Sequence, residues 1–349
     1  MIRPREGLGL RNGYHSPQLK VDIRLNTNES PFELPEGFYR RLSEVTSKLA
    51  LNRYPDRSYR RVKEALAEYC SVEPDMVFAA NGSNEVIQSI CLAYGGHGRR
   101  AMVIEPTYAM HSQIARHCGL EVDLAYREDP HTLDFVEFER NLFSFNSDVV
   151  FLCSPNNPTG ELLDQKIIEL AISTDDKTVV LDQAYVDFAA TSWEFVAAQN
   201  VLQSRTFSKA FALAGLRFGY LVASSEVVEV LEEVVLPYHL DSMKQAAVLC
   251  AMEFAPQAED AHAEIILQRE ELIRELIELG VEAYPSDANF VLIDFGEVDA
   301  NSLWNGLIER SVLVRNCSGW PGLNNHLRVT VGKARENQRF IEALAELLR

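Results

Sequence analysis

Lys209 stands in the segment Thr206-Phe207-Ser208-Lys209-Ala210-Phe211-Ala212-Leu213-Ala214-Gly215-Leu216-Arg217, directly after an apolar, strand-like run. Alone, a lysine at a strand-to-loop junction is a solvated surface charge. Here hydroxyls lie one and three residues before it and an arginine lies eight after it. A lysine amine forms a Schiff base with an aldehyde once burial or a nearby cation lowers its pKa. Hydroxyls and a guanidinium suit a phosphate monoester. A second segment, Val179-Val180-Leu181-Asp182-Gln183-Ala184-Tyr185, ends an apolar run on an acid, where α/β sheets present ligands. Paired with a pyridine nitrogen, Asp182 would keep it protonated and the ring electron-withdrawing, and Tyr185 could donate to a phenolic oxygen on that ring. The plain alternative for Asp182 is a helix cap.

Three further segments fit the same chemistry. In Leu152-Cys153-Ser154-Pro155-Asn156-Asn157-Pro158-Thr159-Gly160, two prolines and a glycine around asparagines make a rigid turn after a strand, from which Asn157 could aim its amide at a ring oxygen. Asn81-Gly82-Ser83-Asn84-Glu85 lies between a strand and a helix, and backbone N–H groups at a helix start bind phosphate. Gly82 permits close approach. Tyr108, after Glu105-Pro106-Thr107, could stack on a flat ring, although core packing is its commoner role.

The elements needed to position these residues are legible. From about residue 58, short apolar runs at 76–79, 101–104, 149–153, 178–181 and 201–207 alternate with amphipathic stretches at 59–70, 85–93 and 108–117. Buried strands alternating with helices predict an α/β fold with a mostly parallel sheet covered by helices on both faces. After about residue 250 a long charged helix over 262–279 leads into a smaller α+β unit, with runs at 288–295, 302–310, 312–314 and 327–331 and a last helix from Glu336. The expected organisation is an irregular N-terminal arm (1–28), a large cofactor-binding domain (29–250) and a small C-terminal domain (251–349). The chain's 349 residues, 47% hydrophobic and 24% charged, fit two globular domains. A net charge of -18 argues against a nucleic-acid partner, so an anionic substrate needs a locally basic pocket. The six cysteines, at irregular spacing, form no zinc or disulfide pattern and read as small buried hydrophobes. No run reaches membrane-spanning length and no signal-peptide core is present, so the expected location is cytoplasmic.

Taken in order, Gly82-Ser83-Asn84, Tyr108, Asn157-Pro158-Thr159-Gly160, Asp182-x-x-Tyr185, Ser208-Lys209 and Arg217 resemble the fold-type I, class I/II aminotransferases over nearly the whole chain. The resemblance implies pyridoxal 5'-phosphate held by Lys209, a cofactor phosphate bound by Gly82, Ser83, Asn84, Thr206, Ser208 and Arg217, no metal, and a homodimer with shared active sites. Within that family, Leu25-Asn26-Thr27-Asn28-Glu29-Ser30-Pro31, Arg53-Tyr54-Pro55-Asp56, Tyr14 in Gly-Tyr-His-Ser-Pro, Leu313-Val314-Arg315 and Leu327-Arg328-Val329 are similar to the histidinol-phosphate aminotransferase branch. There Tyr54 reaches the other subunit's cofactor phosphate, and Tyr14, Asn157, Arg315 and Arg328 contact small-molecule substrate. A phosphate dianion calls for two guanidinium groups where a carboxylate needs one. Two departures stand out: Ala212 where the family has glycine, and Asn316-Cys317-Ser318-Gly319-Trp320-Pro321 in place of a glycine-rich loop. Related branches act on aromatic amino acids or decarboxylate threonine phosphate. A regulator retaining the domain is disfavoured by intact Lys209 and Asp182.

Overall fold

The computed structural model describes residues 17–189, 195, 196 and 198–349. Twelve strands lie among them: β1 Ile23–Leu25, β2 Val77–Ala80, β3 Arg100–Glu105, β4 Glu121–Tyr126, β5 Val149–Cys153, β6 Thr178–Asp182, β7 Val201–Thr206, β8 Gly219–Val222, β9 Glu282–Ala283, β10 Phe290–Asp294, β11 Val312–Asn316 and β12 His326–Thr330. They form two sheets. The larger has the order β2-β8-β7-β6-β5-β3-β4. The pairs β3–β4, β3–β5, β5–β6 and β6–β7 are parallel, and only β8 runs against its neighbours. Every residue of β2, β5 and β8 is buried, as a sheet covered by helices on both faces requires.

This order sets the site. Cys153 of β5 pairs with Asp182 of β6, and Asp182 with Ser204 of β7, so these strands end along one edge. Gly219 of β8 pairs with both Thr206 and Ala80. Because β8 alone is reversed, β2 again points toward that edge, and the turn after it, at Gly82, arrives beside Thr206. The helix Ser83–Tyr94 then packs back on the sheet through Val86, Ile87 and Ile90, all fully buried.

The smaller sheet has the order β1-β11-β12-β10-β9. The expected irregular arm is corrected here: Ile23–Leu25 is a strand, parallel to β11. Its run of three residues is too short for a legible alternation. From β1 the chain thus leaves the smaller sheet, builds the larger one and returns. The linking helix also begins earlier than expected, at Ala255, and runs 24 residues to Glu278. Pro256 sits in its first turn, where a missing N–H costs nothing. One apolar cluster joins the two sheets, taking in Leu25, Phe38, Leu66, Phe207, Phe290 and Phe340. None of the six cysteines is in a disulfide; four are buried, but Cys70 and Cys118 are only partly so, against the expectation for all six.

Candidate active site

At the carboxyl edge of the larger sheet a cavity opens, with about 620 Å³ of free space when its open mouth is counted. Ser83, Asn84, Tyr108, Asn157, Asp182, Tyr185, Thr206, Ser208, Lys209, Arg217 and Arg328 all line it, with Thr27, Asn28, Cys153 and Ala184. Segments up to three hundred residues apart therefore meet at one place.

One end is built for a phosphate. Arg217 donates to Ser208 Oγ at 3.1 Å, and Thr206 Oγ1 holds the Ser208 N–H at 3.1 Å. Opposite is the start of the helix Ser83–Tyr94, with its positive dipole end. Two glycines make the cradle. Gly82 has φ 89°, and a Cβ there would stand 2.8 Å from the Arg217 guanidinium. A Cβ on Gly219 would stand 2.3 Å from the Ser83 nitrogen. Arg217 itself sits at φ 53°, a strained backbone held at a binding position.

The middle is built for a protonated ring nitrogen. Asp182, 2% exposed, accepts from the Ala184 N–H at 3.1 Å and lies 2.9 Å from His111 Nε2. His111 is locked by stacking on Phe151, with centroids 5.0 Å apart, and by the edge of Tyr108 at 5.5 Å. Cys153 beside it is no second acid: burial first, then the Asp182 carboxylate, pushes its thiol well up. Sequence reading missed His111. Nothing in its spacing marks it, and only the register of β5 and β6 with the helix Met110–His117 brings it to Asp182.

Lys209 enters from the opposite side. Its amine donates to the Thr27 carbonyl at 2.8 Å and lies 5.8 Å from the Tyr185 ring centre. Burial lowers its pKa to about 7, helped by the Arg328 and Arg217 charges and opposed by Glu29. Tyr185 receives Asn28 Nδ2 at 3.0 Å and Asn157 Nδ2 at 3.5 Å; burial pushes its own hydroxyl pKa up. Asn157 in turn accepts from Arg328. Arg328 also donates to the Asn26 carbonyl at 3.1 Å, and its buried Nε has no partner among the described residues. Two guanidiniums, Arg217 and Arg328, against the one carboxylate of Asp182 make this cavity locally basic inside an acidic protein.

Of the other expected residues, Gly82 adjoins Arg217 without lining the cavity, and two stand elsewhere. Arg315 is cross-strand from Arg328 but does not line the cavity; its guanidinium lies 5.8 Å from the Trp320 ring centre. Tyr54 is 81% exposed and stacks on Tyr238 with centroids 4.6 Å apart. Tyr14 lies outside the described residues.

The residues suit pyridoxal phosphate at each of its functional groups: an anion cradle, a buried acid, an amine of lowered pKa, and amide and phenol donors between them. Comparison with known proteins agrees. The family described as aminotransferase class I and II matches residues 20–344. Histidinol-phosphate aminotransferase of Paenarthrobacter aurescens is 39% identical over 347 residues, covering 96% of this chain and 92% of that one. The structure of histidinol-phosphate aminotransferase from Sinorhizobium meliloti in complex with pyridoxal-5'-phosphate superposes with a TM-score of 0.87 at 22% identity, over 95% of this chain and 91% of that one. L-threonine-O-3-phosphate decarboxylase from Porphyromonas gingivalis also superposes, with a TM-score of 0.80 at 26% identity over 93% and 99% of the two chains, so the fold alone does not choose the reaction. Fold and site together define a pyridoxal-phosphate-dependent transaminase. Within that class, the chain belongs to the class I and II aminotransferase family.

Proposed function

We propose that the protein moves the amino group of L-histidinol phosphate to 2-oxoglutarate, giving imidazole acetol phosphate and L-glutamate, as a cytoplasmic step of histidine biosynthesis. The observation that carries this reading is Arg328, buried in the cavity wall with an unpartnered Nε and with Arg315 directly across the strand pair. Arg328 alone suits the glutamate carboxylate; for a phosphate dianion Arg315, on the same sheet face, would turn from Trp320 to add a second guanidinium. The 39% identity to a protein of that name supports the same donor.

Pyridoxal phosphate supplies a ring that withdraws electrons from the substrate α-carbon. The chain's residues supply the rest. Gly82, Ser83, Asn84, Thr206, Ser208 and Arg217 anchor the phosphate, and Tyr108 covers the ring. Asp182, steadied by His111, keeps the ring nitrogen protonated. Asn157 and Tyr185 donate toward the phenolic oxygen. Lys209 would hold the cofactor through its amine. With a pKa of about 7 its free amine is part neutral at pH 7 and would take the α-carbon proton and deliver it one position along, as base and then acid. Tyr14 and Asn157 orient the substrate. In this reading the protein is a homodimer in which Tyr54 of the second copy completes the phosphate cradle. Its exposure beside Tyr238, with Leu236 79% exposed nearby in sequence, supports a covered face.

A second reading has one observation in its favour. Arg315 stands over the Trp320 ring and does not line the cavity, which leaves Arg328 as the substrate-side guanidinium there, enough for the carboxylate of an aromatic amino acid. A half-reaction screen separates the two. The loaded enzyme is mixed with L-histidinol phosphate, L-phenylalanine or L-threonine phosphate, and loss of its visible absorbance is timed. L-Histidinol phosphate is expected to act at least about tenfold faster than phenylalanine at equal concentration, the effect of one charge-assisted contact. Faster bleaching by phenylalanine, or carbon dioxide release from threonine phosphate, overturns the assignment.

A further inference from the structure

Asn28 has no role in the reaction as derived so far, yet it is among the most tightly bonded side chains at the site. It is 1% exposed, and its φ of 55° lies in the left-handed region, which asparagine tolerates better than most residues. Its N–H donates to Thr330 Oγ1 at 2.9 Å, and its Oδ1 accepts from that hydroxyl at 3.1 Å. Its carbonyl accepts from Asn289 Nδ2 at 3.1 Å. Its Nδ2 donates to the Tyr185 phenol oxygen at 3.0 Å.

The consequence falls on Tyr185. A phenol has one proton to give and an oxygen that accepts. Both neighbours on that oxygen, Asn28 Nδ2 and Asn157 Nδ2, are donors and cannot receive the phenol proton. The proton is left to point into the cavity that Tyr185 lines. The same network reaches β12 twice: Arg328 donates to Asn157, and Thr330, two residues on along the same face, fixes Asn28. We propose that Asn28 is a positioning residue, which holds the Tyr185 hydroxyl as a donor toward the cofactor's phenolic oxygen and ties it to the strand that carries Arg328. The inference rests on the reading of Tyr185 as that donor.

The test reads the pH at which the visible absorption of the cofactor-loaded protein titrates. A donor to the phenolic oxygen stabilises its negative charge and so loosens the proton beside it; losing the donor moves the midpoint up. Tyr185→Phe is expected to raise it by about one pH unit or more, the size of a hydrogen bond to a charged group. Asn28→Gly keeps the left-handed backbone without strain and removes only the amide. It is expected to raise the midpoint by about half a unit or more, and Thr330→Val to shift it in the same direction. The double variant Asn28→Gly/Tyr185→Phe should titrate as Tyr185→Phe alone, since the two act in series. Far-UV circular dichroism and cofactor titration of the apo protein establish that each variant is folded and loads. An unmoved midpoint in Asn28→Gly while Tyr185→Phe shifts, or additive shifts in the double variant, overturns the role of Asn28. No shift in Tyr185→Phe overturns the reading of Tyr185 beneath it. If Asn28→Gly does not fold, an unmoved midpoint in Thr330→Val overturns the proposal.

Discussion

At Lys209 enclosure and the Arg328 guanidinium outweigh the carboxylate of Glu29, with Arg217 adding to the same side, and the amine titrates at about 7. The sign gives a pH dependence. Below that value the folded apo protein holds an ammonium, which cannot attack an aldehyde; above it the amine is free. Capture of pyridoxal phosphate by the apo protein, followed by stopped-flow absorbance, should therefore accelerate through about pH 7 and level off. Arg328→Met removes a cation that disfavours protonation, so the midpoint should move up and capture at pH 7 should slow. A midpoint that stays in place or falls contradicts the assigned cause. Asp182 offers a second residue-scale test. With His111→Ala its carboxylate keeps the Ala184 N–H and loses the imidazole. Cofactor affinity or kcat should drop about 10- to 100-fold, the worth of one hydrogen bond to a charged group. Steady-state rates at saturating and limiting cofactor tell which.

At the scale of elements, the strand-to-loop junctions carry the site, and two positions in them show what the backbone demands. The turn after Lys209 puts Ala212 at φ 53°. An L-residue there costs about 1–2 kcal/mol, a cost that the glycine expected from the resemblance would avoid. Glycine gives back part of the gain through the unfolded chain, about 0.4–1 kcal/mol. Ala212→Gly should thus stabilise the fold by about 0.5–1 kcal/mol, seen as a later midpoint in urea. Gly219 is the opposite case. Its missing side chain leaves room for the Ser83 nitrogen, so Gly219→Ala should push the helix start off the phosphate site. Apo protein titrated with pyridoxal phosphate should show affinity at least about tenfold weaker, the loss of one charge-assisted bond.

At the scale of the whole molecule, the described chain runs from the smaller sheet through the larger one and back. Asn26, Thr27 and Asn28, just after β1, therefore meet Arg328, Lys209 and Tyr185. The two sheets share one apolar core, so the cavity between them is held from both sides. The proposed shared sites have a direct assay. Tyr54→Ala and Lys209→Ala should each be impaired, Lys209→Ala almost completely. Refolded together, half of the dimers are mixed, and each has one site with native Lys209 and native Tyr54. The mixture should recover up to about a quarter of wild-type activity. Recovery absent under conditions where wild-type chains exchange argues that each site is made by one chain.

The ordered motifs were enough to name the chemistry, because each functional residue sits in a short turn at a strand end, where its local sequence marks it. Lys209 follows β7, Asp182 ends β6, Asn157 follows β5 and Gly82 follows β2. The alternating elements showed the parallel sheet for the same local reason. His111 and Asn28 were not legible, since their partners lie 71 and 157 residues away and no spacing encodes them. The strand β1 escaped too: three residues that pair with a strand near the other end of the chain carry no periodicity of their own. The lowered pKa of Lys209 likewise came from enclosure and from a guanidinium 119 positions along the chain. Local bonding writes residue types into the sequence. Long-range register and burial, which set charge and orientation, exist only once the chain has folded.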